Sequence, residues 1–87
     1  MARAMAVEMA PLGIRVNCIS PGVVDTPTTR KIFAEGTVDS DMILDNFLVK
    51  RLTSTEEIAE LVFYLCGDSA ACVTGANWVI DGGYTAR

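Results

Sequence analysis

Histidine is absent from the 87 residues, and the only cysteines are Cys18, Cys66 and Cys72. None of them forms a C-x-x-C pair, so the sequence gives no support for a metal site, and their odd number argues against a disulfide framework. Apolar neighbours flank each cysteine. We therefore expect all three to be reduced and buried, as in a cytoplasmic protein.

Positive charge and long apolar runs are also scarce. Seven basic residues against eleven acidic ones give a net charge of −4 with no basic run, so neither nucleic acid nor an anionic membrane is an expected partner. No apolar stretch approaches the roughly 20 residues that span a bilayer. Met1 is not followed by the basic start and apolar segment that are typical of a signal peptide, so we do not expect one.

Apolar residues are nevertheless abundant. They make up 51% of the chain, and its mean hydropathy is +0.34. A fold of this size buries only about 60% of the surface that its unfolded chain exposes. We therefore expect part of the apolar surface to be covered by further sequence or by a second subunit.

The first half of the chain reads as a helix, a strand and an irregular helical stretch. Apolar residues recur at helical spacing over 2–10, with no capping residue before them, so we expect the chain to start inside a helix. Pro11 and Gly13 end that helix. The further predictions are a strand over Ile14–Ile19 that is broken by Ser20-Pro21-Gly22, a loop over 23–29, and short helices over 28–35 and 39–48.

The second half contains a helix and a final strand. Ser54 and Glu57 form a capping box, which predicts a helix that ends near Gly67. Residues 77–81 read as a strand closed by a turn at Asp81-Gly82-Gly83. Strand, helix and strand at this spacing predict a right-handed crossover with the two strands parallel.

Two parallel strands do not form a stable sheet alone, because parallel sheets are covered on both faces and continue at their edges. The predicted fold class is therefore α/β: the C-terminal part of a doubly wound, Rossmann-like parallel sheet, represented by two parallel strands with helices.

Several motifs resemble the short-chain dehydrogenase/reductase family. The segment 13–26, G-I-R-V-N-C-I-S-P-G-V-V-D-T, is similar to the sixth strand of that family and the loop after it. The segment 74–83, T-G-A-N-W-V-I-D-G-G, is similar to its last strand. Arg51 and residues 56–59 match the start of its last long helix, although Thr55 stands where the family often has proline.

The resemblance covers the whole chain and implies a C-terminal portion of one Rossmann-like domain. It divides the chain into the end of the catalytic helix (1–12), a strand and nicotinamide loop (14–27), a substrate lid (28–50), and the last helix and last strand (54–83).

The resemblance also implies binding of NAD or NADP. Pro21 and Gly22 would pack beside the nicotinamide, the main chain of Val24 would bond its carboxamide, and the Thr26 hydroxyl would bond carboxamide or phosphate. Independently, ligands of open α/β sheets bind beyond the carboxyl ends of the strands, and glycine lets a flat ring approach the backbone. The alternative is an ordinary Pro-Gly turn.

The family's catalytic residues are not matched. No Gly-rich phosphate-binding turn occurs, and the catalytic serine and Tyr-x-x-x-Lys pair are missing: Asp68 lies four residues after Tyr64, and Tyr84 is too close to the end of the chain. We expect both tyrosines to be packing residues and the chain alone to be inactive. Truncation, or a partner chain that supplies the rest, would explain this.

The predicted function is part of an NAD(P)-dependent oxidoreductase that transfers hydride between nicotinamide and a small alcohol or carbonyl substrate. The run P-G-V-V-D-T-P-T at 21–28 is similar to that of relatives acting on hydroxy acids or sugar-derived alcohols. Arg30 or Lys31 would meet a substrate carboxylate or be solvated.

The family implies that the full-length form is a homo-oligomer, a tetramer or dimer, with Trp78 near an interface or in the core. The alternative is a non-catalytic oligomerisation module that uses the edge of Ile14–Ile19.

Overall fold

The computed structural model describes residues 2–36 and 38–86. Short 3-10 turns follow α1 and α4 and close the described chain. The helices and strands are α1 (Ala2–Met9), β1 (Cys18–Pro21), β2 (Val24–Asp25), α2 (Pro27–Ala34), α3 (Ser40–Asp45), β3 (Thr53–Ser54), α4 (Thr55–Cys66) and β4 (Asn77–Ile80).

The two longer strands pair in parallel, as predicted. Their register runs from Cys18 opposite Asn77 to Pro21 opposite Ile80. One further bond, from the Gly22 N–H to the Ile80 carbonyl at 3.1 Å, continues the pairing beyond the end of β1. The fold therefore brings the segment after β1 next to the residues that follow β4.

The prediction of a strand over Ile14–Ile19 was wrong in its bounds. Residues 14–17 lie beside the loop that precedes β4 and bond it partly through side chains. The Val16 N–H donates to the Thr74 hydroxyl at 3.0 Å, and the Asn17 side-chain nitrogen donates to the Val73 carbonyl at 2.9 Å. A regular ladder begins only at Cys18. It continues through Pro21, because a proline at the end of a strand costs at most one ladder bond.

Asn17 has the structural role that its sequence position indicated. Its side-chain oxygen accepts from the Ala76 N–H at 3.3 Å and from the Trp78 indole at 3.4 Å. The side chain thus joins the approach to β1 with the approach to β4 and with the strand itself.

The prediction of a loop over 23–29 was also wrong. Val24 and Asp25 pair in parallel with Thr53 and Ser54, and α2 begins at Pro27. A two-residue strand has no alternation pattern to read, and its partner lies far along the chain. The helix start was readable, since Thr26 and Pro27 are a capping residue followed by a proline at the first helical position.

The remaining helices confirm the predictions, with shifted bounds. The capping box at α4 is formed, with Ser54 and Glu57 each bonding the other's backbone. The helix predicted over 39–48 spans only Ser40–Asp45, because Asp39 caps it and the chain after Asn46 turns away. There the amides of Leu48 and Val49 both donate to the Gly82 carbonyl at 2.8 Å.

The core is small. Among the described residues, the buried apolar side chains are Ala6, Phe47, Leu65 and Ala70. Many large apolar side chains are exposed, including Phe63 at 82%. This agrees with the expectation that the apolar surface needs further cover.

The prediction of buried cysteines was wrong, because all three thiols are exposed. The apolar residues near them in sequence do not fold over them. Phe63, one turn before Cys66, is itself largely exposed. No helix in the described part of the chain is long and apolar enough to cross a membrane.

Candidate functional site

Pro21 and Gly22 lie at the carboxyl end of β1, against the turn that follows β4. A Cβ atom on Gly22 would come within 2.7 Å of the Asp81 Cβ and 3.0 Å of the Asp81 Cα. The sequence reasoning assigned this glycine to the approach of a flat ring. The structure shows a neighbour from the same chain that already requires glycine at this position.

Asp81 is fixed by the turn that it starts. The residue is buried at 7% exposure, and its carboxylate accepts from the Gly83 N–H at 2.9 Å, the Thr85 N–H at 3.1 Å and the Thr85 hydroxyl at 2.8 Å. These hydrogen bonds, that from the Thr85 hydroxyl foremost, lower the pKa of Asp81. The predicted turn is present, with positive φ at Gly82 and Gly83.

The backbone of Val24 is orientated by the pairing of β2 with β3. Val24 lies opposite Thr53, and the Thr53 N–H donates to the Val23 carbonyl at 3.2 Å. In a parallel pair of strands, alternate residues of one strand direct their backbone N–H and C=O groups toward the partner strand, and the residues between them direct these groups away from it. Val23 bonds β3, so the next residue, Val24, is one of those that point away. The main chain of Val24 therefore faces away from β3, where a ligand amide could bond it.

Thr26 is the N-cap of α2. Its hydroxyl oxygen accepts from the Thr29 N–H at 3.2 Å and lies 3.0 Å from the Thr29 hydroxyl. The cap fixes the Thr26 side chain at the positive end of the helix. When Thr29 is the donor of the hydroxyl pair, the Thr26 proton remains available to a ligand.

Asp25 and Arg30 connect the end of β2 to α2. The Arg30 guanidinium bonds the Asp25 carboxylate twice, at 2.6 and 2.9 Å, and this hydrogen bonding lowers the pKa of Asp25. Arg30 was predicted to meet a substrate carboxylate or to be solvated. It is exposed, but its partner is an aspartate of the same chain. The sequence reasoning did not single out Asp25.

A pocket of about 460 Å³ lies beside Gly22 and Val23, the two residues between β1 and β2. It lies between the segment predicted to face nicotinamide and the segment predicted to be a substrate lid. Of the four predicted site residues only Gly22 is in its wall; Pro21, Val24 and Thr26 are not. The lining residues are Gly22, Val23, Met42, Ile43, Asn46, Phe47 and Tyr84.

Six of these lining residues were not predicted as site residues, and one of the six, Val23, directly follows the predicted Gly22. Met42, Ile43 and Asn46 come from α3 and its C-terminus, where the irregular apolar spacing gave no signal. Phe47 and Tyr84 pack edge to face, with ring centroids 5.8 Å apart, so Tyr84 makes a packing contact although the residue is 51% exposed. Tyr64 is 44% exposed.

The family model described as Enoyl-(Acyl carrier protein) reductase matches residues 1–85, which is nearly the whole chain.

Curated relatives include dehydrogenases and reductases. The chain is 40% identical to Dehydrogenase/reductase SDR family member 6 of Aquarana catesbeiana, over 98% of this chain and 36% of that protein. It is 39% identical to the cyclopentanol dehydrogenase of Comamonas sp. (strain NCIMB 9872), over 98% of this chain and 34% of the relative. The chain thus spans about a third of the length of these relatives.

Solved structures agree in fold. 4-Hydroxyisoleucine dehydrogenase complexed with NADH superposes with a TM-score of 0.89 at 38% identity, over 99% of this chain and 35% of that one. ElxO with NADP bound superposes with a TM-score of 0.88 at 30% identity, again over 99% and 35%. Neighbours with either nicotinamide cofactor therefore share this arrangement of helices and strands.

Proposed function

The chain belongs to the short-chain dehydrogenase/reductase family of oxidoreductases, and from that premise we propose that it is the part of an NAD(P)-dependent enzyme that holds the nicotinamide end of the cofactor. The enzyme interconverts a small alcohol and the corresponding carbonyl compound. A hydroxy acid or a sugar-derived alcohol is the substrate class implied by the run at 21–28.

The orientation of the Val24 backbone is the observation that carries this proposal. A carboxamide needs one acceptor and one donor, and a main-chain N–H and C=O pair at the free edge of β2 provides both. Pro21 and Gly22 would form the wall beside the ring, and the Thr26 hydroxyl would bond the carboxamide or a phosphate. NAD or NADP supplies hydride chemistry, while these residues bind and orient.

Residues 28–50 would act as the lid over the substrate. They contain α2 and α3, and the end of α3 contributes to the pocket beside Gly22. The bonds from Leu48 and Val49 to the Gly82 carbonyl anchor the C-terminal end of this segment. The Asp25–Arg30 pair attaches its N-terminal end to β2.

The chain by itself would not turn over substrate, because no tyrosine in it is followed four residues later by lysine. Proton transfer in the family reaction uses that pair. Oxidation of NADH or NADPH that scales with the purified 87-residue protein would contradict this part of the proposal.

A nuclear magnetic resonance titration with reduced nicotinamide mononucleotide tests the cofactor assignment. We expect amide shifts at Val24 and Thr26 and none at Val7 in α1. Val24→Pro removes the N–H that faces the ligand, so it should abolish the shift at Thr26. The matched control Val24→Ala keeps the N–H and should retain it. Equal behaviour of the two variants would argue against a main-chain contact.

A second candidate is a non-catalytic oligomerisation module derived from this family. Exposed apolar side chains favour it: Val7 is 75% exposed, Leu12 is 71% exposed and Phe63 is 82% exposed. Sedimentation over a range of concentrations tests it. A monomer at all concentrations would exclude this function for the chain.

A further inference from the structure

A single peptide unit connects the Asp81 carboxylate to the end of the segment proposed as the lid. The N–H of this unit belongs to Gly83 and donates to the Asp81 Oδ1 at 2.9 Å. Its carbonyl belongs to Gly82 and accepts from the amides of Leu48 and Val49, each at 2.8 Å. The peptide is trans, as are all peptide bonds in the described part of the chain. The N–H and C=O of a trans peptide point in opposite directions in one plane, so the bond on one side fixes the direction of the bonds on the other.

The carboxylate of Asp81 is itself held in place. Its second oxygen, Oδ2, accepts from the Thr85 N–H at 3.1 Å and from the Thr85 hydroxyl at 2.8 Å. A hydrogen bond to an ionised acceptor is roughly twice as strong as one between neutral groups, and hydrogen bonds in a chain polarise one another. The carboxylate therefore strengthens, through the peptide, the bonds that the Gly82 carbonyl makes to the lid.

Packing between the turn and the end of the lid is close. A Cβ on Gly83 would lie 2.7 Å from the Leu48 Cδ1, and a Cβ on Gly82 would lie 3.2 Å from the Phe47 Cδ2. Phe47 is 2% exposed. Because close-packed groups cannot shift independently, a rotation of the Gly82–Gly83 peptide would displace residues 47–49.

Asp81 also contacts the segment proposed to face nicotinamide. The Gly22 N–H donates to the Ile80 carbonyl at 3.1 Å, and the Gly22 backbone packs against the Asp81 Cα and Cβ. Asp81 thus lies between the two parts of the proposed site. Its backbone borders the end of β1, and its side chain directs the bonds to the lid.

We propose that Asp81 is a positioning residue: its carboxylate orients the Gly82–Gly83 peptide, which sets the place of residues 47–49 relative to Gly22. Thr85 contributes by holding the carboxylate. This inference rests on the proposed function, in which residues 28–50 form the substrate lid, and adds the residues that fix the lid. Asp81 acts through the lid and is not a catalytic residue.

Amide hydrogen exchange in the 87-residue protein tests the proposal. The amides of Leu48 and Val49 report the two bonds to the turn, and the amide of the buried Leu65 in α4 is the reference. Asp81→Ala should accelerate exchange of the first two by roughly tenfold with little change at Leu65, because one fixed hydrogen bond is lost. Asp81→Asn keeps an oxygen acceptor and should restore most of the protection. Equal acceleration at all three amides would overturn the proposal, since it would show a general loss of stability.

Thr85→Val makes a smaller change and decides the question where Asp81→Ala does not fold. It removes the hydroxyl donor and retains the N–H, so we expect roughly threefold faster exchange at Leu48 and Val49 alone. Thr85→Ser retains the hydroxyl and should match the parent protein. No acceleration in Thr85→Val, or the same acceleration in Thr85→Ser, would overturn the role given to the carboxylate.

The place of the lid end is measured separately from its protection. The nuclear Overhauser effect between the Leu48 methyl groups and the Gly83 α-protons should weaken in Asp81→Ala and persist in Asp68→Ala. The second variant removes the same charge at an exposed position after α4. An effect that stays unchanged in Asp81→Ala would show that packing alone places the lid, against the proposal.

The nicotinamide titration separates this inference from the proposed function. Absence of the Val24 and Thr26 shifts in the parent protein, with selective acceleration at Leu48 and Val49 in the variants, would reject the cofactor assignment alone. Nicotinamide shifts in the parent protein with uniform acceleration in the variants would reject only the positioning role of Asp81.

Discussion

The Cβ that any other residue would carry at position 22 lies 2.7 Å from the Cβ of Asp81. The backbone of Gly22, at the end of β1, therefore packs directly against Asp81, in the turn after β4. This close packing holds together the two segments that flank the candidate site.

Gly22→Ala should therefore destabilise the fold by about 1–3 kcal/mol, because neither the Asp81 backbone nor its bonded carboxylate can move freely. The measurement is the free energy of unfolding in urea. Gly67→Ala is the matched control, since its Cβ would meet the nearest atom at an ordinary 3.4 Å. Similar losses in both variants would contradict the specific contact.

Phe47 is the largest fully buried side chain among the described residues, at 2% exposure. Phe47→Ala removes its packing against Tyr84 and should cost about 3–5 kcal/mol, enough to unfold a small domain. Phe63→Ala, at an 82% exposed position, should change the thermal midpoint little. A smaller effect at Phe47 than at Phe63 would show that the pocket wall is not packed as described.

Thr26→Ala should lower the stability of α2 by about 0.5–2 kcal/mol, because the Thr29 N–H loses its acceptor. Thr26→Ser keeps the cap and should be close to the parent protein. Helix content and thermal midpoint from circular dichroism are the readouts. Equal losses for alanine and serine would indicate that the Thr26 methyl group, and not the cap, matters.

Glu57 gives the fold an acid-sensitive component. Hydrogen bonds from Arg51, and then from the Ser54 amide and hydroxyl, lower the pKa of Glu57 from 4.5 to about 2. Since the folded-state pKa is below the unfolded value, the stabilisation is complete above about pH 4.5 and is lost as the pH falls toward 2.

The stability difference between the parent protein and Glu57→Gln should accordingly shrink over that interval. Thermal midpoints at several pH values measure it, and Asp25 and Asp81, which also have lowered pKa values, cancel because both proteins contain them. Arg51→Met removes the largest cause and should weaken the dependence. A difference that stays constant down to pH 2 would contradict the assignment.

All three cysteines are exposed, so a thiol reagent should modify Cys18, Cys66 and Cys72 rapidly in the native 87-residue protein. The final amount of modified thiol should match that in denaturant. Slow modification of any thiol until denaturant is added would show that an oligomer or another packing arrangement covers it.

The sequence by itself determined the features that depend on neighbouring residues. The Ser54–Glu57 capping box with the start of α4 follows from local hydrogen bonding, and the last strand, predicted over 77–81 and observed over Asn77–Ile80, follows from its short apolar run. The parallel order of the two longer strands follows from the helix between them. The family follows from motifs in one order, and the positions of Pro21, Gly22, Val24 and Thr26 as site residues stay a prediction from that resemblance.

Only the tertiary structure decided what depends on contacts between distant segments. The pairing of β2 with β3, which turns the Val24 backbone outward, leaves no local sequence pattern. The contact between Asp81 and Gly22 depends on how closely the ends of β1 and β4 approach each other in the folded chain. The same holds for the set of residues that line the pocket and for the exposed cysteines. Hydrophobic periodicity states that a side chain can be buried, but only packing decides whether another segment covers it.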